Sequence, residues 1–303
     1  MAEIIRIKKG LDIPLSGNPS SEVTADKKTT TFAVCPDDFP GHVWKAVVKP
    51  GDFVYAGDPL LKDKATQRIV IASPVSGLVD EVRRGERRHI EFVSINRDPE
   101  KSATKKAVPS NQEEIKNLIL ESGLWAMMRQ RPYDIVPDPG TTPRDIFVTA
   151  FDSAPLAGEL LTDSLTKWIE KGLESLAALT SGKVYLGVRA GSGIKSHAAE
   201  VYEFEGPHPS GNVGTQIAAI NPVNKGETVW TLDAVTVAKI GKLCGQGEID
   251  YSTTVALTGP EIKNPRMIST VIGASISTLL EGELKTQNDV RIISGNVLTG
   301  IRV

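Results

Sequence analysis

Only two cysteines occur in 303 residues, Cys35 and Cys244. They share neither metal nor redox spacing, which excludes a CxxC centre, an iron–sulfur quartet and a disulfide framework. Neither charge sign dominates: 35 Lys plus Arg face 37 Asp plus Glu, a formal net charge of −2. A nucleic-acid-binding chain would show a basic excess, and aromatics at 5% leave few platforms for stacking bases, so nucleic acid is not an expected partner. No run approaches the roughly 18 apolar residues that span a bilayer. The start, Met1 to Gly10, alternates charge with apolar residues and lacks a signal peptide's apolar block. A reducing compartment is the expected setting, with any membrane association made through a partner. The four histidines, His42, His89, His197 and His208, form no HxxxH or HxH pair that would seat a metal. A Gly-x-Ser-x-Gly elbow is also missing, since Gly191-Ser192-Gly193 is one residue too tight.

What is present is ordinary globular composition, 40% hydrophobic and 24% charged. At this length about three-quarters of the unfolded surface is buried and two or three domains are expected. Residues 1–35 read as a strand at Ile4–Ile7, a loop rich in Gly, Pro and Ser, and a second strand ending at Val34. Residues 36–100 carry short strands between turn signals: Val43–Val48, Phe53–Tyr55, Leu60–Leu61, Arg68–Ala72 and Gly77–Val82. That spacing indicates a small all-β module. Lys101–Ser110 is a polar linker.

Over 101–250 the period lengthens. A helix is expected at Gln112–Met128 with Gly123 as breaker, then a loop at Arg131–Pro143 and an apolar strand at Asp145–Phe151. A helix at about Gly158–Leu179 and a strand at Lys183–Val188 complete a βαβ unit, the signature of a parallel sheet. A strand at Val229–Leu232 leads into a helix capped by Asp233 and closed at Gly245. Residues 251–303 read as strands at Tyr251–Gly259, Met267–Ile272 and Val290–Ser294 around a short helix, Ile276–Leu280, a compact sheet of β-grasp type. The last residues, Asn296–Val303, stop inside an apolar strand-like run, which suggests a chain that continues. The expected fold class is α/β (α+β, multi-domain).

Three local patterns bear on chemistry. Val48-Lys49-Pro50-Gly51-Asp52 through Ala56-Gly57-Asp58-Pro59-Leu60, followed by Ser73-Pro74-Val75-Ser76-Gly77, resembles the biotinyl/lipoyl barrel-sandwich family, whose carrier members attach a prosthetic group to a hairpin lysine. Lys64 stands ten positions before Pro74, farther than such a hairpin allows, so the pattern is read as fold alone. The glycines after the second parallel strand, Gly187, Gly191 and Gly193, are spaced Gly-x-x-x-Gly-x-Gly, and the first βα turn, Phe151–Gly158, also lacks Gly-x-Gly-x-x-Gly. Neither supplies a dinucleotide's phosphate cradle. Gly206-Pro207-His208-Pro209-Ser210-Gly211-Asn212-Val213-Gly214-Thr215 can be neither ordinary helix nor strand. Its end is suited to open a helix whose bare amides face a ligand, or else it is a long connecting loop. The cluster Arg83-Arg84-Gly85-Glu86-Arg87-Arg88 is a solvated hairpin turn or a docking surface for an acidic partner.

Taken together, Ile5–Pro14, Gly51–Leu61, Ser73–Gly77, Gly206–Pro209 with Gly214-Thr215, Val229-Trp230, Gly259-Pro260 and Ile293–Leu298 resemble the NqrA family of the sodium-translocating NADH:quinone oxidoreductases, in order along nearly the whole chain. The resemblance implies a barrel-sandwich module, a Rossmann-like core and a soluble-ligand-binding β-grasp (SLBB-like) domain. It also implies a peripheral subunit on the cytoplasmic face of the bacterial inner membrane, partnered by the membrane and NADH-oxidising flavoprotein subunits and concerned with quinone. Related folds bind FMN, NADH and iron–sulfur clusters, but the cysteine quartet and flavin loop are missing here, so FMN, FAD and iron–sulfur are not expected, nor is any metal or covalent group. Family members tend to read Gly-Thr-His-Ile-His where this chain has Gly214-Thr215-Gln216-Ile217-Ala218, and a role for those histidines does not transfer. The candidate quinone contacts are Gly191, Gly193, Lys195, His208, Gly211, Gly214 and Thr215. Arg83, Arg84, Arg87 and Arg88 are candidates for partner docking. No catalytic residue is expected, and the chain alone is expected to be inactive. The alternatives are a docking scaffold without chemistry and an FMN- or NADH-binding dehydrogenase subunit.

Overall fold

The computed structural model describes residues 3–286 and 288–303. Met1, Ala2 and Gln287, which fall in the expected 1–35 and 251–303 segments, lie outside the described residues. The first two strands, β1 (Glu3–Arg6) and β2 (Val23–Ala25), join sheets built from distant parts of the chain.

The barrel-sandwich follows. It consists of β3 (Thr31–Val34), β4 (Trp44–Ala46), β5 (Phe53–Val54), β6 (Pro59–Asp63), β7 (Val70–Ala72), β8 (Gly77–Arg84) and β9 (Ile90–Arg97). The strands form two sheets, ordered β3-β9-β8-β5 and β4-β6-β7. Alternation sends Leu61, Val79, Val93 and Ile95 inward, each fully or nearly fully buried. Gly57 turns the chain at φ 95°, a conformation that side chains resist, and donates its amide to Ser73 O at 2.8 Å. Lys64 is the first residue of the β6–β7 connection and not its centre.

After segment 101–110, which has no regular secondary structure, come α1 (Gln112–Glu121) and a short 3-10 turn, Leu124–Met127. The single helix expected over 112–128 is therefore two pieces. Gly123, at φ 76°, ends the first, as its role as breaker requires. Then follow β10 (Arg129–Arg131), β11 (Ile146–Thr149), α2 (Asp163–Ala177), β12 (Val184–Arg189), β13 (Glu200–Glu205), α3 (Val213–Ile220), β14 (Val229–Asp233) and α4 (Ala234–Gln246).

The main sheet is ordered β1-β13-β12-β11-β14-β10, parallel except for β10. The chain runs outward from β11 through β12 to β13, then returns to place β14 on the other side of β11. The carboxyl ends of β11 and β14 are therefore the switch point of the sheet. Strands β11 (Ile146, Phe147, Val148) and β14 (Val229, Trp230, Leu232) are continuous buried apolar runs, as central parallel strands must be.

Three expectations need correction. The helix predicted from Gly158 begins at Asp163, since Gly158–Leu161 is irregular. Gly247 in the left-handed region (φ 68°), and not Gly245, closes α4. Strands β9, β10 and β13 carry no expectation in the sequence pattern, yet they complete their sheets.

The C-terminal part has β15 (Ser252–Leu257), β16 (Arg266–Val271), α5 (Ile276–Leu279), β17 (Ile293–Ser294) and β18 (Ile301–Arg302). Strand β16 lies between β15, antiparallel, and the N-terminal β2, parallel. Strands β17 and β18 pair as a separate hairpin. Tyr251 is buried and donates its hydroxyl to Ser122 O, tying this part to the end of α1.

Helices α2 and α4 cross at two glycines. A Cβ on Gly172 would stand 2.0 Å from Val237 O, and one on Gly241 would stand 2.0 Å from Trp168 O. Backbone meets backbone there, which only glycine permits. No described helix is long and apolar enough to cross a membrane.

Candidate functional site

A crevice of about 1040 Å³ opens over the carboxyl ends of β11, β12 and β14. Its floor is made by the ends of these strands, Thr149, Arg189 and Asp233, together with the first turn of α4. One wall is the α3 loop and first turn, Gly211 to Thr215. The opposite side includes Thr253, Thr254 and Ile272 from the C-terminal part, with Asn296 and Thr299 from the final hairpin. The site thus lies where an open α/β sheet presents ligands, at its switch point.

The α3 wall is held from below. Gln216 is 1% exposed, and its Nε2 donates to Thr149 Oγ1 (3.1 Å) and Ser210 O (3.3 Å). Thr149 Oγ1 in turn donates to Gly211 O at 3.1 Å, and the Gly211 amide donates to Ser153 Oγ at 2.8 Å. A Cβ on Gly211 would lie 2.6 Å from Ser153 N, so this approach requires glycine. Gln216 is thus a structural cross-link beneath the wall. The Asn212 side chain makes no capping bond, and the Val213 and Gly214 amides, on crevice-lining residues, have no acceptor among the described residues, whereas Thr215 N is bonded to Asn212 O. A Cβ on Gly214 would meet nothing within 4 Å, so the wall there is open space.

Across the floor, Asp233 caps α4. Its carboxylate accepts from Thr236 N and Thr236 Oγ1, both at 2.8 Å. Arg189 lays its guanidinium 4.8 Å from the Phe151 ring centroid and donates to Asp152 O at 3.0 Å, fixing an aromatic face beside the crevice. Lys239, one turn along α4, is 2% exposed and also lines the crevice. Burial pulls its pKa down, opposed by the charges of Asp233 and Asp250.

The sequence candidates divide into three groups. Gly211, Gly214 and Thr215 line the crevice. His208 lies half-buried behind the wall: its Nδ1 is 3.1 Å from Ser153 Oγ, and its backbone amide donates to Asp12 Oδ1 at 2.9 Å. Gly191, Gly193 and Lys195 sit on the exposed loop after β12, away from the lining. That loop is anchored by Glu170 of α2, which accepts from the amides of His197 (2.8 Å) and Ala198 (3.2 Å). Lys239 and Arg189 are not candidates from the sequence pattern. The signal for Lys239 is nonetheless there, because α4 is apolar nearly all round, which marks a helix buried on every side.

Arg83, Arg84, Arg87 and Arg88 are all exposed at the tip of the β8–β9 hairpin. Only Arg83 pairs with carboxylates, Glu81 at 3.1 Å and Glu91 at 3.9 Å, among the described residues. No cluster of three His, Cys, Asp or Glu able to hold a metal is found among the described residues.

Fold and crevice together define a three-module chain, a barrel-sandwich and an α/β core followed by a small ligand-binding-type sheet. Residues 5–98 match the NqrA N-terminal barrel-sandwich hybrid domain, 110–249 the NqrA second alpha/beta domain, and 254–303 the NQRA C-terminal domain. The chain is 40% identical over 310 residues to the NqrA subunit of the Na(+)-translocating NADH-quinone reductase of Hahella chejuensis, covering 98% of this chain and 69% of that one. It is 38% identical to the same-named subunit of Marinomonas sp. (97% and 68%) and 36% identical to that of Pasteurella multocida (99% and 69%). The chain belongs to the NqrA family of Na(+)-translocating NADH-quinone reductase subunits.

Proposed function

We propose that this chain serves as a peripheral, cytoplasm-facing subunit of a sodium-translocating NADH:quinone reductase at the bacterial inner membrane, and that its crevice receives a quinone head group without holding an electron carrier of its own. The carrying observation is the crevice at the sheet's switch point. It has an apolar lining from Phe151, Leu160, Leu161 and Ile272, and open donors at the first turn of α3. A planar head group with two carbonyl oxygens fits such a slot, needing apolar faces and one or two donors at its edges. Gly211, Gly214 and Thr215 are the wall residues that would touch it, and His208 would act through Ser153. Flavin and iron–sulfur are excluded from the proposal. The first βα turn, Phe151–Gly158, has a single glycine at its end and no Gly-x-Gly-x-x-Gly cradle for a phosphate, and the two cysteines lie far apart in sequence.

The test is quinone titration of the assembled complex with Gly214→Val and Thr215→Ala. Gly214→Val fills open space in the crevice and leaves the fold intact, so quinone affinity should fall. Unchanged affinity and turnover in both variants would remove the proposal. A second reading, a scaffold that docks the membrane and flavoprotein subunits, draws on the exposed arginine tip at 83–88. Reversing Arg84, Arg87 and Arg88 to Glu should release the chain from the complex, most strongly at low salt, and unchanged co-purification would remove that role.

A further inference from the structure

We infer that Lys239 is the polar anchor of the crevice, donating a hydrogen bond from its Nζ to a carbonyl or phenolate oxygen of the quinoid head group. This rests on the quinone reading above and names the group that would recognise the ligand.

The argument begins with what Lys239 lacks. Its residue is 2% exposed and on the crevice lining, no hydrogen bond or ion pair to its ammonium is formed among the described residues, and Nζ itself is not fully enclosed, so it meets the crevice. The two carboxylates within electrostatic reach, Asp233 and Asp250, are engaged elsewhere. Asp233 holds the Thr236 amide and hydroxyl. Asp250 pairs with Lys242 Nζ at 2.9 Å and accepts from the Ser252 amide at 2.9 Å. The neighbouring Lys242 also reaches Glu248 at 3.6 Å, so one turn of α4 carries a satisfied lysine and an unsatisfied one. A largely buried cation with no protein acceptor is costly, and an oxygen bound in the crevice would complete it.

The surroundings say what kind of ligand. Arg131, also on the lining, pairs its Nη2 with Asp134 at 3.3 Å but leaves Nε buried without a partner, so this side of the crevice has donor capacity for oxygen acceptors. Asp134, Asp152, Glu159 and Asp233 also border the crevice, against Arg131, Arg189 and Lys239, so the site is not a cationic pit for phosphate. The Phe151 face backed by Arg189 suits a flat ring. Acceptor oxygens on a planar, largely uncharged ring are the chemistry of a quinone head group.

The test measures ubiquinone-1 binding to this chain by calorimetry, in wild type and in Lys239→Met. Methionine keeps the length and removes the charge. The expected result is affinity lower by about tenfold or more, the scale of a lost charge-assisted hydrogen bond, with a melting temperature unchanged or raised because an uncompensated cation is gone. A merely structural lysine would not lose binding while its stability was kept. A second measurement uses the wild type alone: reductive methylation of Lys239, followed by mass spectrometry, should be slowed by ubiquinone-1 while that of the exposed Lys45 is not. If wild type binds ubiquinone-1 but Lys239→Met binds within about twofold, or Lys239 labelling is unprotected, the anchor is wrong and the quinone reading survives. If wild type does not bind ubiquinone-1, both fall.

Discussion

Replacing Gly241 with alanine sets two magnitudes against each other at the α2–α4 crossing. In an exposed helix interior, alanine is better than glycine by about 1 kcal/mol. Here its Cβ would stand 2.0 Å from Trp168 O and 2.7 Å from Gly172 N, whereas ordinary contact begins at 3.4 Å. Both obstacles are backbone, so no rotamer change relieves the overlap and the helices must part by about an ångström. Overpacking in a close-packed core costs about 1–3 kcal/mol, and rigid backbone places this case at the upper end, leaving a net loss of about 2 kcal/mol. For an α/β unit of this size that corresponds to a fall of roughly 4–8 °C in Tm. Thermal unfolding followed by tryptophan fluorescence is a fitting assay, because Trp168 lies on the crossing. Since α4 carries Asp233 and Lys239 to the crevice, quinone affinity should weaken as well. An unchanged or raised Tm would show that the helices are not held at glycine distance, and the reasoning would fail.

Asp233→Ala removes the α4 cap and leaves the Thr236 amide without its acceptor, so stability should fall by about 1 kcal/mol in a denaturant titration. Asp63 supplies a pH dependence. Its burial raises its pKa, but the amide and hydroxyl of Thr66 and the His42 ring outweigh this and hold it below the usual carboxylate value. A depressed folded-state pKa stabilises fully above the unfolded value of about 3.9 and loses its contribution as pH falls through the folded one. Asp63→Asn should therefore flatten the acid limb of stability against pH below about 4, measured by urea melts across pH. Gly211→Ala should push the α3 wall off Ser153, the shared partner of Gly211 and His208, and weaken quinone binding, read by calorimetry.

The barrel-sandwich, the βαβ start and the Asp233 cap are legible in the sequence because each depends on local pattern: turn glycines, apolar runs, a cap before a helix. Strand β13 escapes such a reading because Glu200-Val-Tyr-Glu-Phe-Glu205 breaks its alternation at Val201-Tyr202 and its neighbours in sequence look like loop. The partners of β1 and β2 lie some two hundred residues away, and no local signal carries such pairings. Within the site, the Gly211–Thr215 wall is visible from its prolines and glycines. Lys239 is hidden by the usual placement of lysine on a solvated face, whereas here it lies on the buried side of α4, 2% exposed. Lys195 is drawn in by neighbouring glycines, yet Glu170 ties that loop to α2.

The most direct measurement of the central claim is a structure of the chain with ubiquinone-1 bound. The account predicts one head group in the crevice above β11 and β14, ring beside Phe151, with an oxygen about 3 Å from Lys239 Nζ. A head group seated elsewhere, or a flavin retained in that crevice after purification, would contradict it.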